Sequence, residues 1–381
     1  MKKNLILIIS IAILIAVILL FFPFTYPARY SANPDYATLS EVRGVRVDYL
    51  HLSTSRREAA RLATQMQAAG VNMVAVGAGR LDWTYFPWAG HSDRWSADVR
   101  GTGIDFLLDD SLRFGSRAHI SAVVDVLAPL YIKTHPQAAS ISWTGLPSKN
   151  LIATMELVDG SFGQDLLAMI DEIAKDYPVN SITLTELIYY VDGFGPQDEA
   201  AYLAYSGQSD WPRTLDGQIN IDDASIGTWR AFEIGRFLEK AAAVVHRYGK
   251  QLFFEVRVGV NASGQIEVTN GTDMGLFLKY ADRLVVWGNR ELDSDPGAAL
   301  QMVATYVAGF DPERTILELG LWADDDPVET PHDQMTAISS ADFETELQAA
   351  GLGGVQDLLI TPSFLMNAAD WSAISNRWSG K

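Results

Sequence analysis

GQDLLAMIDEIAKDYPVNSITLTELIYY, Gly163–Tyr190, sets a helical pattern directly before a short buried run. In the second half, Ile182, Leu184, Leu187 and Ile188 supply the apolar bulk of a strand, and Glu186 places a carboxylate near its end. Burying an ionised carboxylate costs several kcal/mol unless it is paired or hydrogen-bonded. A glutamate at that point, followed by Tyr189 and Tyr190, therefore asks for a reason.

The same couplet repeats along the chain. The β-branched runs are GVRVDYLHL (44–52), NMVAVGAG (72–79), HISAVVDVL (119–127), SITLTELIYY (181–190), QLFFEVRV (251–258), DRLVVWGN (282–289), RTILELGLW (314–322) and VQDLLITPSF (355–364). Helical patterns lie between them, such as SRREAARLATQMQAAG (55–70) and TWRAFEIGRFLEKAAAVVHRYG (228–249). The latter carries apolar residues at three- and four-residue spacing and stops on Gly249. Strand–helix alternation implies a parallel sheet, and eight units in one chain imply a closed barrel. The fold class is therefore α/β: a (β/α)8 TIM barrel over residues 41–381, one domain, preceded by one N-terminal transmembrane helix. No glycine-rich phosphate loop follows any strand, so no nucleotide partner is expected.

The helix is read from residues 1–22. Its apolar run, Leu5–Phe22, is interrupted only by Ser10 and follows Lys2 and Lys3. That length spans a bilayer, and the lysines set the N-terminus inside. A cleavable signal, which would leave a secreted protein, has a shorter apolar core and a small-residue cleavage site, and YPARYSAN is a poor one. Residues 23–40, rich in Pro, Tyr and Ser, form an extracytoplasmic linker. The expected location is the cell membrane, single-pass, with residues 5–22 in the lipid bilayer and the barrel outside. The chain has no cysteine, hence no disulfide and no lipidated cysteine. The sequons at Asn261 and Asn270 fit an external domain. A net charge of −18 opposes phosphate backbones, which excludes a nucleic-acid partner.

Barrel active sites form at the C-terminal strand ends. Those ends offer His51, Arg80, Asp82, Asp125, Glu186, Tyr189, Tyr190, Glu255, Arg257, Trp287, Asn289, Glu318, Trp322 and Ser363. The loop Arg80–Trp95 adds Trp83, Tyr85, Phe86, Trp88 and Trp95, either as a platform for the C–H faces of sugars or as a cap on the barrel. Glutamates at a barrel mouth beside aromatic side chains point to glycosidic chemistry, which needs a proton donor and a second carboxylate. Glu186 suits the donor, its pKa raised by burial, and Glu318 the nucleophile, kept ionised by Arg257 or His51. Strands 4 and 7 would hold these carboxyls ~5–5.5 Å apart, the spacing for retention. Glu255 is the third catalytic candidate, although it alternates with Arg257 and has a structural reading as its ion-pair partner. His51, Asp82, Trp83, Trp88, Asp125, Tyr189, Tyr190, Arg257, Trp287, Asn289 and Trp322 are candidates for binding substrate. No cofactor is expected, and no metal: Asp324–Asp326 lacks calcium-ligand spacing and the histidines are scattered.

Four segments in order carry a family resemblance. GIDFLLDDSLRFGSRAHISAVVDVLAP (103–129), THPQAASISW (134–143), Gly163–Tyr190 and TWRAFEIGRFLEKAAAVVH (228–246) resemble the glycosyl-hydrolase-like family 10 barrels, over roughly residues 44–258. The resemblance implies hydrolysis of a polysaccharide or oligosaccharide, including one rich in amino sugars. Where that family has Asp-Asp-Tyr after strand 4, this chain has Thr185-Glu186-Leu187. Glu186 replaces the second aspartate, but Thr185 cannot replace the first. The Thr-Glu pair, with LELG (317–320), is instead similar to the clan of retaining (β/α)8 glycosidases with glutamates after strands 4 and 7. The expected protein is thus a membrane-anchored glycoside hydrolase. The alternative is a non-catalytic glycan-binding or envelope-associated protein on a degenerate glycosidase barrel.

Overall fold

Near-continuous apolar runs suit strands buried on both faces, and eight such strands close on themselves. The computed structural model describes residues 39–47, 56–94, 105–261, 263–288, 296–323 and 335–379. The strands are β1 (Arg43–Val47), β2 (Met73–Arg80), β3 (His119–Asp125), β4 (Ser181–Thr185), β5 (Gln251–Val260), β6 (Arg283–Gly288), β7 (Thr315–Gly320) and β8 (Leu358–Thr361). Each pairs in parallel with its sequence neighbour, and β8 returns to β1 with Arg43 opposite Leu358. This is the eight-stranded parallel α/β barrel.

One helix follows each strand in the outer ring: α1 (Arg56–Ala68), α2 (Phe106–Gly115), α3 (Ser161–Asp176), α4 (Ala224–His246), α5 (Met274–Phe277), α6 (Pro296–Phe310), α7 (Ser340–Leu352) and α8 (Ala368–Ser379). Outward strand residues such as Ile182, Leu184, Leu317 and Leu319 are buried in the main core with helix residues such as Leu166 and Ile170. Each such side chain contributes about 1.5–3 kcal/mol. Helix α4 starts on Asp223, whose carboxylate accepts from Ser225 N, and the chain leaves it through Gly249 at φ 67.

Inward residues form a second cluster, with Met73, Ala75, Phe253, Val285, Ile316 and Leu359 filling the lower barrel. Leu39 packs against it and its carbonyl accepts from Arg283, so the packed barrel begins within the 23–40 segment read as a linker. Polar inward side chains pair with one another: His119 Nε2 lies 2.8 Å from Ser181 Oγ, and Ser121 Oγ 2.6 Å from Thr183 Oγ1. Unpaired, each such buried group would cost about 1–3 kcal/mol.

Two local departures shape the mouth. In β2 the register shifts between Gly77 and Gly79, and Gly79, at φ 103, has Trp83 O 2.6 Å from where a Cβ would sit. The chain there doubles back through Trp83–Thr84, antiparallel to β2, which only glycine permits. In β4 the strand ends at Thr185, so Glu186–Tyr190 are loop and not the strand end that their apolar content predicts. Residues 1–22, on which the expected transmembrane helix falls, lie outside the described residues. Among the described residues no helix is long and apolar enough to cross a membrane.

Candidate active site

The inward alternation that fills the lower barrel with apolar side chains turns charged at its top. Arg46 of β1, Glu255 of β5 and Glu318 of β7 meet there. Arg46 Nη2 lies 2.9 Å from Glu255 Oε2 and 2.9 Å from Glu318 Oε1, and both glutamate side chains are almost wholly buried. Burial, stronger than the opposing effect of Arg46, holds the Glu318 carboxyl well above its usual range, and Glu318 hydrogen-bonds to Glu255. Both carboxyls therefore crowd one guanidinium.

Glu186 lies just above. It is the only non-glycine residue with positive φ among the described residues, at 65°. Such a conformation costs about 1–3 kcal/mol and persists only where the surroundings impose it. Arg257 Nη2 approaches Glu186 Oε2 at 3.2 Å, and the Arg257 guanidinium stacks 3.8 Å from the ring centre of Trp287. Burial, and next the Glu255 carboxylate, push the Glu186 pKa up to about 7 against the pull of Arg257. On β3, in register with Thr185, Asp125 accepts from Leu127 N at 2.8 Å and has Arg80 Nη1 at 3.7 Å. Its pKa is pushed up to about 6, mainly by burial.

All of these groups but Arg257, which stands behind Glu186 and Trp287, line one cavity of about 440 Å3 at the barrel mouth. Arg46, Arg80, Asp125, Thr185, Glu186, Glu255 and Glu318 supply its polar surface. Trp83 and Tyr85 line it from the loop after β2, and Trp287, Trp322 and Met335 from β6 and the segments after β7. Trp287 and Trp322 meet edge to face at 5.6 Å, as do Trp83 and Tyr85 at 4.6 Å. Size and composition match a small-ligand cleft.

Several candidates stand elsewhere. Trp88 is buried in the core and stacks on His91 at 3.9 Å, away from the cavity lining, so the loop after β2 is part wall and part cap. Asp82 accepts from Arg80 Nε and from Leu130 N and Tyr131 N, which occupies it as the cap of the short helix Pro129–Thr134. Tyr189 is buried and Tyr190 exposed, and neither lines the cavity. Ser363 is buried behind Thr361 and Pro362, which line it instead. His51, Trp95, Asn289 and Asp324–Asp326 lie outside the described residues. The described cation that faces Glu318 is Arg46, not the Arg257 that the sequence offered for it, and Arg257 faces Glu186 instead. Arg46 was legible only as the inward residue between two outward valines of β1. Strand ends alone do not reveal it, because it sits one residue inside the end of β1. Among the described residues no cluster of His, Cys, Asp and Glu is arranged to hold a metal.

The PgaB (BpsB) glycoside hydrolase domain from Bordetella bronchiseptica superposes with a TM-score of 0.62 at 16% identity, over 88% of this chain and 98% of that one. The catalytic domain of β-amylase from Paenibacillus polymyxa gives 0.59 at 10%, over 89% and 98%. A β-galactosidase from the psychrophilic Marinomonas ef1 gives 0.59 at 12%, over 88% of this chain and 58% of that one. The structural neighbours are glycoside hydrolases. At such identities the likeness establishes the barrel and leaves the chemistry to be argued from the side chains. No family model and no curated protein matches the chain.

Proposed function

We propose that this protein is a glycoside hydrolase acting on a polysaccharide or oligosaccharide, with Glu186 as the proton donor. The observation that carries the proposal is Glu186 itself. Its side chain is 23% exposed, so substrate can reach it, yet its pKa of about 7 keeps a proton available at neutral pH. A glycosidic oxygen leaves readily only when protonated, and the sugar left behind carries oxocarbenium charge that a second carboxylate must answer. Further carboxyls line the same cavity, and the aromatic walls on either side offer flat faces for sugar rings.

The test is release of reducing ends from a panel of cell-surface and plant polysaccharides, wild type against Glu186→Gln. The variant is expected to fold normally, to lose at least about a thousandfold in kcat and to keep its KM. Undiminished turnover by Glu186→Gln would sink the assignment. We further propose that residues 5–22 tether the barrel outside the membrane, in keeping with Lys2, Lys3 and the apolar run.

A second reading draws support from the Arg46 bridge. Two buried glutamates closed over one arginine would also serve a purely structural core, leaving a glycan-binding barrel without turnover. Under that reading Trp287→Ala weakens oligosaccharide binding in calorimetry while no carboxylate variant changes any rate, there being none.

A further inference from the structure

Granting glycoside hydrolysis with Glu186 as the donor, the second carboxylate remains to be assigned, and four carboxyls compete for two roles. Access separates them. The side chains of Glu255 and Glu318 are 3% and 2% exposed, whereas those of Asp125 and Glu186 are 33% and 23% exposed. Occupancy separates them again. Glu255 and Glu318 are bound by Arg46 and by each other. Asp125 uses Oδ1 for Leu127 N, and its Oδ2 has Arg80 at 3.7 Å, beyond a good hydrogen bond, which leaves that oxygen for water.

We infer that Asp125 is the second catalytic carboxylate, acting as general base, and that Glu255, Glu318 and Arg46 form the buried floor beneath it. Asp125 and Thr185 are register partners on adjacent strands, so Asp125 and Glu186 flank one edge of the mouth. In strand order Arg80 of β2 stands on the far side of Asp125 and Arg257 of β5 on the far side of Glu186, so each carboxyl has its cation away from the other. That placement suits a water between them, the arrangement of inverting glycosidases, in which the carboxyls stand about 6.5–9.5 Å apart. In the reaction Asp125 takes a proton from that water as its oxygen bonds to the anomeric carbon. The bond from that carbon to the glycosidic oxygen breaks, and Glu186 gives its proton to the departing oxygen. Asp125 ends protonated and Glu186 ionised, and exchange with solvent restores both.

The groups facing this pair also set its titration. Glu186 faces Arg257 and Glu255 from β5, Asp125 from β3 and Arg46 from β1, while Asp125 faces Arg80, Asp82 and Glu255. The acidic limb of the rate profile then belongs to Asp125 and the alkaline limb to Glu186.

The experiment uses the full chain and the glycan from the panel that it degrades fastest. Asp125→Asn and Asp125→Ala are expected to lose about a thousandfold in kcat, and Asp125→Asn its acidic limb. With an activated glycosyl fluoride, azide is expected to restore Asp125→Ala and to yield a glycosyl azide of inverted configuration, and to restore neither Glu255→Ala nor Glu318→Ala. Proton NMR of the wild-type product should show inversion at the first time point. Azide rescue of Glu318→Ala, or retention in the wild-type product, overturns the assignment to Asp125 while leaving the hydrolase reading intact. Absence of turnover across the panel, or full turnover by Glu186→Gln, overturns both.

Discussion

Glu186 is the residue at which backbone, charge and solvent access converge. Its positive φ carries the side chain off the end of β4, and burial together with Glu255 lifts its pKa to about 7. An ordinary glutamate titrates near 4.3. In the folded state the raised group holds its proton over a range where the unfolded chain has released it. Its favourable contribution to stability is complete below about 4 and is lost as pH rises towards 7. Asp125, at about 6, adds in the same direction over a narrower window. Urea unfolding should therefore show stability falling from pH 4 to 7, and Glu186→Gln should flatten that slope. Activity runs between the same limits: kcat/KM is expected to be bell-shaped, with an acidic limb near 6 from Asp125 and an alkaline limb near 7 from Glu186. Arg257 favours the ionised form of Glu186, so Arg257→Met should move the alkaline limb upward. A profile unchanged in that variant would separate Arg257 from the donor.

At the scale of elements, the loop after β4 matters more than any strand. Strand β4 was legible from its alternation, whereas its last residue was not, because Leu187 and Tyr189 are buried like strand residues. They are buried in a loop, and Arg230 of α4 explains how. This arginine is fully buried, and its guanidinium donates to the carbonyls of Tyr190 and Asp192 and lies 4.8 Å from the ring centre of Phe194. It ties down the segment that begins with Glu186, beside the aromatic cluster of Tyr202, Trp211 and Trp229. Arg230→Leu strands those carbonyls, and the buried Asp198 loses its facing cation. The expected cost is about 3–5 kcal/mol, measured by chemical denaturation, with hydrolysis lost alongside. A variant as stable as wild type would remove Arg230 from this account.

For the molecule as a whole, the barrel and the N-terminal apolar run are separate questions. The described helices pack in the ring around the strands, and the core clusters of the barrel are built from residues 39 onward among the described residues. A chain starting at Pro23 is expected to hydrolyse the same glycan at the full-length rate and to leave the membrane fraction, where the full-length chain resists alkaline extraction. Release of the full-length chain by alkali would refute the tether. The acidic balance, −18 over the full chain and more negative still without Lys2 and Lys3, predicts a soluble released barrel with no affinity for nucleic acid.

The sequence by itself determined the barrel, its eight strands, the mouth as the place to look, and Glu186, Glu255 and Glu318 as residues of one cavity. These depend on period, order and strand ends, which are properties of a chain read locally. Only the tertiary structure decided who faces whom. Arg46 reaches Glu318 across 272 positions, Trp88 turns into the core, Asp82 is taken up as a helix cap, and Asp125 stands open beside Glu186. Closure of the barrel brings strands distant in sequence within hydrogen-bonding range. Burial and pairing, the two quantities that set a carboxyl's chemistry, then depend on neighbours that no local pattern records.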